Sequence, residues 1–277
     1  MRVTFWSARK PREIALAKAM VAGLSAHGVA FKVRWTNEEP ELSDIACMFG
    51  VKSKRLFDMH REAGRQVIFF DKGYSGNRRD MYRVSVNQHH PISFLAQTDC
   101  PGNRWEAIGI EPKPWDYRGG SILYAGSSAK YHDFNDIMEP TQYAQGVIDE
   151  IRGHSNRPIV YRPKPSWNDA VPVRGAEFSA TKSESLKDLL SQSNVMVTHG
   201  SNACFEAVCE GTPSIVLGDG IGKTISSTSI ADVDSPYMAS DKKRLRWLQN
   251  LAYCQWSLSE ISSGMAWSVI APQLKEL

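Results

Sequence analysis

Short apolar runs rich in β-branched and aromatic residues alternate with amphipathic helical patterns along most of this chain, and that alternation constrains its fold more than any other feature. "RVTFW" is followed by a helical pattern from Pro11 to His27 and then by "VAFKVRW". "DIACMFGV" is followed by a pattern near Ser53 to Gly64 and then by "QVIFF". Pro11 near the start and Gly28 past the end of the first pattern are the expected helix punctuation. Strand, helix and strand in repetition predict parallel sheets covered by helices on both faces. Residues 72–118 break the rhythm, and "GIEPKPWDYRGG" has the composition of a linker.

A second series then begins. "SILYAGS", a helix over about 141–153, "RPIVYRP", a short helix over 184–192, "NVMVTH", a helix after Ser201, and "PSIVLG" follow in turn. Asp241 is expected to cap the helix "KKRLRWLQNLAYCQW", and Ser257-Leu-Ser-Glu260 reads as a capping box for a further helix. The expected architecture is α/β, with two Rossmann-like doubly wound domains, 1–118 and 119–262, facing a cleft. Residues 263–277 form a terminal helix that crosses back to the first domain. At 277 residues the chain is long enough for both domains.

Composition narrows the functional classes. No apolar run approaches the roughly 18 residues of a membrane span, and the N-terminus lacks the apolar core of a signal peptide, so a cytoplasmic protein is expected. The five cysteines, Cys47, Cys100, Cys204, Cys209 and Cys254, are odd in number and contain no Cys-x-x-Cys pair, which argues against a disulfide framework and a structural zinc site. The net charge of +3 is divided unevenly. Residues 1–118 hold 19 Lys and Arg against 13 Asp and Glu, and the remainder hold 14 against 17. The excess is densest over 50–83, which suggests an anionic partner for the first half.

The stretch "NVMVTHGSNACFEAVCEGTPSIVLGD", residues 194–219, carries the chemistry. Its apolar start is a strand, and His199-Gly200-Ser201-Asn202 is a turn at the strand's carboxyl end. Ser201 or Asn202 then caps a helix that Gly211 ends. The amino end of such a helix offers free N–H groups and a positive dipole end, which suit a phosphate. Glu206 lies four residues after Asn202, so its carboxylate leans toward the same helix end, where it could accept from both hydroxyls of a ribose. Ser127 and Ser128 in "YAGSSAK" supply a second strand-end loop with N–H groups to offer.

"THGSNACFEAVCEGTPSIV" resembles the donor-binding motif in the C-terminal domain of GT-B glycosyltransferases. Ser201 and Phe205-Glu206-Ala207 keep the spacing found in the bacterial capsular polysaccharide (Kdo-type) transferases. "RPIVYRPKPSW" is similar to the strand and basic loop that contact the donor phosphate in those relatives, but the His-Pro of their Lys-Pro-His-Pro pattern is absent. The layout also resembles small bacteriophage glycosyltransferases, some of which decorate hydroxymethylated DNA bases. The resemblance covers residues 119–270, and the first domain matches only in general form.

The resemblance implies that Glu206 binds the donor ribose and that Ser201 and Asn202, with His199 and Gly200 in the same turn, hold the diphosphate. Arg162 and Lys164 would neutralise the leaving phosphate without a metal. The donor would be a nucleotide-sugar used as co-substrate, with a UDP-sugar the first choice and no tightly bound cofactor. An inverting enzyme needs a general base, and Asp71, at the end of "QVIFFD", is the candidate. Lys72, Arg78, Arg79 and His89 are expected to bind the acceptor, for which a 5-hydroxymethylpyrimidine in phage DNA is the leading choice. Tyr74, Tyr82 and Trp105 are available for base stacking.

Other readings compete. A cell-surface polysaccharide or lipopolysaccharide precursor is an equally anionic acceptor, a sugar-nucleotide epimerase shares the architecture, and a non-catalytic nucleic-acid-binding module would explain the charge. "GDGIGKTISS" ends like a phosphate-binding loop, but Leu217 stands where that motif requires its first glycine. Asp232-Val-Asp234 matches a metal tripeptide of weak specificity.

Overall fold

The computed structural model describes residues 1–76, 80–116, 120–179 and 184–274. In chain order the strands are β1 (Arg2–Ser7), β2 (Ala30–Trp35), β3 (Ile45–Phe49), β4 (Gln66–Lys72), β5 (Met81–Val86), β6 (Ser121–Ala125), β7 (Ile159–Arg162), β8 (Glu177–Phe178), β9 (Ser193–Thr198), β10 (Ser214–Val216) and β11 (Gln255–Ser257). The helices are α1 (Pro11–Ser25), α2 (Lys54–Glu62), α3 (Ile92–Gln97), α4 (Asn103–Ile108), α5 (Ala129–Phe134), α6 (Pro140–His154), α7 (Leu186–Ser191), α8 (Ala203–Glu210), α9 (Asp241–Ala252), α10 (Leu258–Ser262) and α11 (Met265–Ile270). They divide into two compact α/β units, residues 1–94 with 249–277 and residues 95–248.

The first unit has a six-stranded sheet in the order β11-β5-β4-β3-β1-β2. Strands β1 to β4 are parallel, whereas β5 runs antiparallel to β4 and β11 antiparallel to β5. The inner strands are apolar on both faces because helices cover both, and Val3, Phe5, Ile45 and Ile68 are fully buried. Burying each such side chain contributes about 1.5–3 kcal/mol. The edge strand β2 is only half-buried along most of its length, as its interleaved Lys32 and Arg34 require.

The second unit has a five-stranded, all-parallel sheet in the order β10-β9-β6-β7-β8. Its inner strands are equally apolar, with Ile122, Val195, Val197 and Ile215 fully buried. From β6 the chain builds outward through β7 and β8 on one side, then returns to build β9 and β10 on the other. The order therefore reverses between β6 and β9, and ligands of open α/β sheets bind outside the carboxyl ends of the strands at such a point.

Both unit boundaries differ from the expected 118/119 and 262/263. Residues 95–116 belong to the second unit because they dock on it: the Trp105 ring meets Phe205 edge-on at 6.4 Å, Lys113 N donates to Cys209 O at 2.9 Å, and Asp116 N donates to Gly211 O at 2.7 Å. The stretch with linker composition is thus a strap held by backbone hydrogen bonds. At the other end, the return to the first unit begins at residue 249, in the last turn of α9, and continues through β11 rather than starting at the last helix. The Gln255 carboxamide oxygen accepts from Tyr74 N at 2.7 Å and Ser75 N at 3.2 Å, which fixes the loop after β4 to the edge strand.

Several helix ends follow local signals in the sequence. Ser53 accepts from Leu56 N at the start of α2, and Gly28 and Gly211 are left-handed with φ of 67° and 81°. The capping box at Ser257 and Glu260 is formed in both directions. Asp241 does not cap α9; it is the first residue of that helix, and Ser240 Oγ accepts from Lys243 N at 3.4 Å.

Candidate functional site

At the carboxyl edge of the second sheet, the loops after β6, β7, β9 and β10 meet. Thr198, the last residue of β9, donates its hydroxyl to Ala125 O at the end of β6 at 2.8 Å and accepts from Ser201 N at 3.2 Å, so one buried side chain ties the two strand ends and the following turn together. Gly126 N donates to Arg162 O at 2.9 Å, which joins the loop after β6 to the end of β7. Gly218 N donates to His199 O at 2.8 Å, which brings in the segment after β10. Ser127, Ser128, Arg162, His199, Gly200, Ser201 and Asn202 are therefore drawn to one edge, although up to 75 positions separate them in the chain.

Gly200 has a steric reason to be glycine, since a Cβ there would lie 2.3 Å from the Tyr131 hydroxyl and 3.1 Å from Asp219 O. Ser201 Oγ accepts from Ala203 N at 3.2 Å, so its hydroxyl engages the first helical amide, while the Asn202 side chain makes no capping bond. Ser128 occupies the capping position of α5 without a side-chain bond to that helix. Cys204, Ala207 and Val208 are buried on one face of α8, and Glu206 is half-buried on the other side of that helix, as the spacing predicts.

Arg162 is 9% exposed, and its guanidinium donates to Glu184 O at 2.9 Å and to Ser179 Oγ at 3.5 Å. Burial lowers its pKa, against the raising effect of Glu184. Lys164 is exposed two residues further on. The pair thus combines one anchored cation with one on the surface.

An aromatic and imidazole cluster lies beneath the β9 turn. The Tyr143 hydroxyl, from α6, is 2.6 Å from His199 Nδ1, and the rings of Tyr143 and Tyr131 meet that of His199 at 5.2 and 6.1 Å. Burial lowers the pKa of His199, and the nearby His132 and Lys223 lower it further against Asp219, so the imidazole is neutral at pH 7. His132 has its own pKa lowered by burial, and its Nδ1 pairs with Met138 O at 2.6 Å. No local signal marks Tyr143, which lies 56 positions before His199 in an ordinary amphipathic helix.

In the first unit, Asp71 ends β4 as expected. Its Oδ1 accepts from Lys72 N at 2.7 Å and its Oδ2 from Arg83 Nη2 at 3.1 Å. Burial pushes the carboxyl up, but the Arg83 guanidinium and His89 outweigh it and hold Asp71 far below the usual carboxylate range. Arg83 is 3% exposed, and its guanidinium also lies 2.9 Å from His90 Nδ1 and 2.6 Å from His89 Nε2. Sequence reasoning overlooked Arg83 as the centre of this cluster because a charge within an apolar run reads as solvent-facing. Lys72 is exposed at the end of β4, and Arg78 and Arg79 lie outside the described residues.

The basic stretch over 50–83 is more neutralised than its own sequence suggests. Carboxylates from outside it pair with Lys52, through Glu13, with Arg55, through Glu39, and with Arg65, through Asp44 at 3.2 Å. Tyr74, Tyr82 and Trp105 are 3%, 2% and 6% exposed, so none offers a face for base stacking. Lys223 of the glycine-rich "GDGIGKT" pairs with Asp219 at 2.7 Å on a single 3₁₀ turn, which is not the strand-to-helix setting of a phosphate loop. Asp234 accepts from Ser155 Oγ at 3.0 Å and Arg157 Nε at 2.9 Å, and no cluster able to hold a metal occurs among the described residues. Among those residues no helix is long and apolar enough to cross a membrane.

Each of the two units is built on a largely or wholly parallel sheet, as in the GT-B type of α/β fold. No protein-family model and no curated protein matches the chain. Among solved structures, it is similar to the β-Kdo 2,4 transferase of Thermosulfurimonas dismutans KpsC, at 14% identity and a TM-score of 0.51 over 93% of this chain and 92% of that one. It is also similar to the β-Kdo 2,7 transferase of the same organism's KpsC, at 13% identity and a TM-score of 0.52 over 97% of this chain and 100% of that one. At these identities the likeness is one of fold.

Proposed function

We propose that the chain is a glycosyltransferase that moves a sugar from a nucleotide-sugar, with a UDP-sugar the first donor to test, to a hydroxyl of an anionic acceptor. One observation carries the reading: strand-end loops holding Ser127, Ser128 and His199–Asn202 converge where the order of the second sheet reverses. In this reading the diphosphate lies against the α8 amino end and Glu206 accepts from the ribose hydroxyls. The bond from the anomeric carbon to the diphosphate oxygen breaks, and the acceptor oxygen forms its bond to that carbon. The acceptor proton passes to a base, for which Asp71 is the candidate. Arg162 and Lys164 neutralise the charge that develops on the departing phosphate.

For the acceptor, a 5-hydroxymethylpyrimidine in DNA rests on the charge of the first half of the chain. A second reading, a cell-surface polysaccharide or lipopolysaccharide precursor, is favoured by the full-length likeness to the two Kdo transferases and by the pairing of Lys52, Arg55 and Arg65 with carboxylates. Incubation with radiolabelled sugar nucleotides and each acceptor separates them. Transfer to hydroxymethylpyrimidine DNA selects the first, transfer only to glycan precursors the second, and transfer to neither with any donor removes both. Thermal denaturation with UDP, CMP and GDP tests the donor half alone: a nucleotide bound at 100 times its Kd stabilises by about 2.7 kcal/mol. Glu206→Ala should abolish that shift while leaving the fold intact.

A further inference from the structure

We propose that Tyr143 is a positioning residue that holds His199 in the tautomer with its proton on Nε2, and that this N–H is offered to a phosphate oxygen of the bound nucleotide. The inference rests on the donor-site reading above and adds to it a residue from a different helix. Tyr143 stands in the first turn of α6, its ring packs on both His132 and His199, at 5.4 and 5.2 Å, and its hydroxyl lies 2.6 Å from His199 Nδ1.

The direction of that bond follows from what each group can do. A neutral imidazole has one N–H donor and one bare acceptor nitrogen, whereas a phenol always has a proton to give. Burial raises the pKa of Tyr143, with Glu150 adding to the effect, so the phenol keeps its proton. Among the described residues that hydroxyl has no acceptor other than His199 Nδ1. Donating there leaves Nδ1 bare and puts the imidazole proton on Nε2.

Nε2 has no hydrogen-bond partner among the described residues, and it sits over Gly218, where an added Cβ would come within 2.1 Å of it. Gly218 is not in the left-handed region, so the steric approach of the ring is the demand on that position. His199 heads the turn whose Gly200-Ser201-Asn202 leads into α8. An Nε2–H fixed by a second residue needs no reorientation on binding, and such preorganisation is how fixed donors gain strength. The groups facing the ring are Tyr143 from α6, Tyr131 and His132 from α5, and Asp219 and Lys223 from the segment after β10.

Nitrogen-15 NMR of the histidine rings in the full chain reads the tautomer directly, and calorimetric titration with UDP, CMP and GDP in turn reads its consequence. In the wild type, His199 Nε2 should carry the proton. Tyr143→Phe keeps the ring contacts but should yield a mixture of tautomers, a raised His199 pKa and about tenfold weaker binding of whichever nucleotide binds, as loss of one well-placed donor predicts. Gly218→Ala keeps the hydroxyl but displaces the imidazole and should weaken binding similarly. A wild-type proton on Nδ1, an unchanged tautomer in Tyr143→Phe, or wild-type affinity in both variants overturns the proposal while leaving the donor site standing. If none of the three nucleotides binds the wild type, the donor-site reading falls and takes the proposed ligand of Nε2 with it.

Discussion

At Asp71 the neighbours set the chemistry. Its carboxylate shares Arg83 with two imidazoles, so it is ionised at neutral pH, and the same pairing makes it a weak proton acceptor. Removing the carboxylate leaves a buried guanidinium short of its counter-charge, so Asp71→Ala should destabilise the protein by about 1.5–3 kcal/mol in urea unfolding, the range for a hydrogen bond between charged groups. If Asp71 is also the base, Asp71→Asn should lower kcat by about 10²–10⁴ with little change in donor KM. A variant that loses stability but keeps its turnover would restrict Asp71 to holding Arg83. The contribution of Asp71 is present above its unfolded value near pH 4 and is lost as pH falls below it. The buried histidines act earlier. His60, which accepts from Ser43 N at 3.2 Å, has a pKa lowered by burial, as do His132 and His199. The unfolded chain binds more protons at these sites, so stability rises with pH, and their contribution is lost as pH falls through about 6.5. Melting temperature measured from pH 8 to 5 should be level above 7 and decline below 6.5.

Among the elements, the regular ones were legible because their physics is local. The apolar runs of β1, β3, β4, β6 and β9 and the punctuation around α1 and α8 mark what those segments become. The elements that escaped depend on distant partners. β11 has three residues, too few for a period, and exists because it pairs with β5 some 170 positions earlier. β5 was hidden by Arg83, which is buried among Asp71, two histidines and Tyr74. The strap over 109–116 has the composition of a linker, and its docking on α8 cannot be read from residues whose side chains do little of the binding. Helix α1 meets α10 so closely at Gly23 that an added Cβ would lie 2.0 Å from Ile261 O, a backbone atom that cannot swing aside. Gly23→Ala should therefore cost about 1–3 kcal/mol as overpacking, despite the better helix propensity of alanine. An equal or higher melting temperature for that variant would contradict this packing.

For the molecule as a whole, the fold class and the residues at one sheet edge were accessible from sequence, while the acceptor was not. Strand order explains the difference. Once β9 and β6 are neighbours, the loops that follow them must be neighbours too, so a motif after one strand locates its counterpart after the other. An acceptor surface has no such rule, and net charge over a stretch of chain says little when Glu13, Glu39 and Asp44 supply its counter-ions from elsewhere. The central claim is that a nucleotide occupies the carboxyl edge of the second sheet where β6 and β9 adjoin. Backbone amide NMR of the full chain during titration with UDP, CMP and GDP addresses it most directly. The largest shifts should fall on residues 126–128 and 199–206 for one of the three. Shifts confined to residues 1–94, or none anywhere with any nucleotide at millimolar concentration, would contradict it.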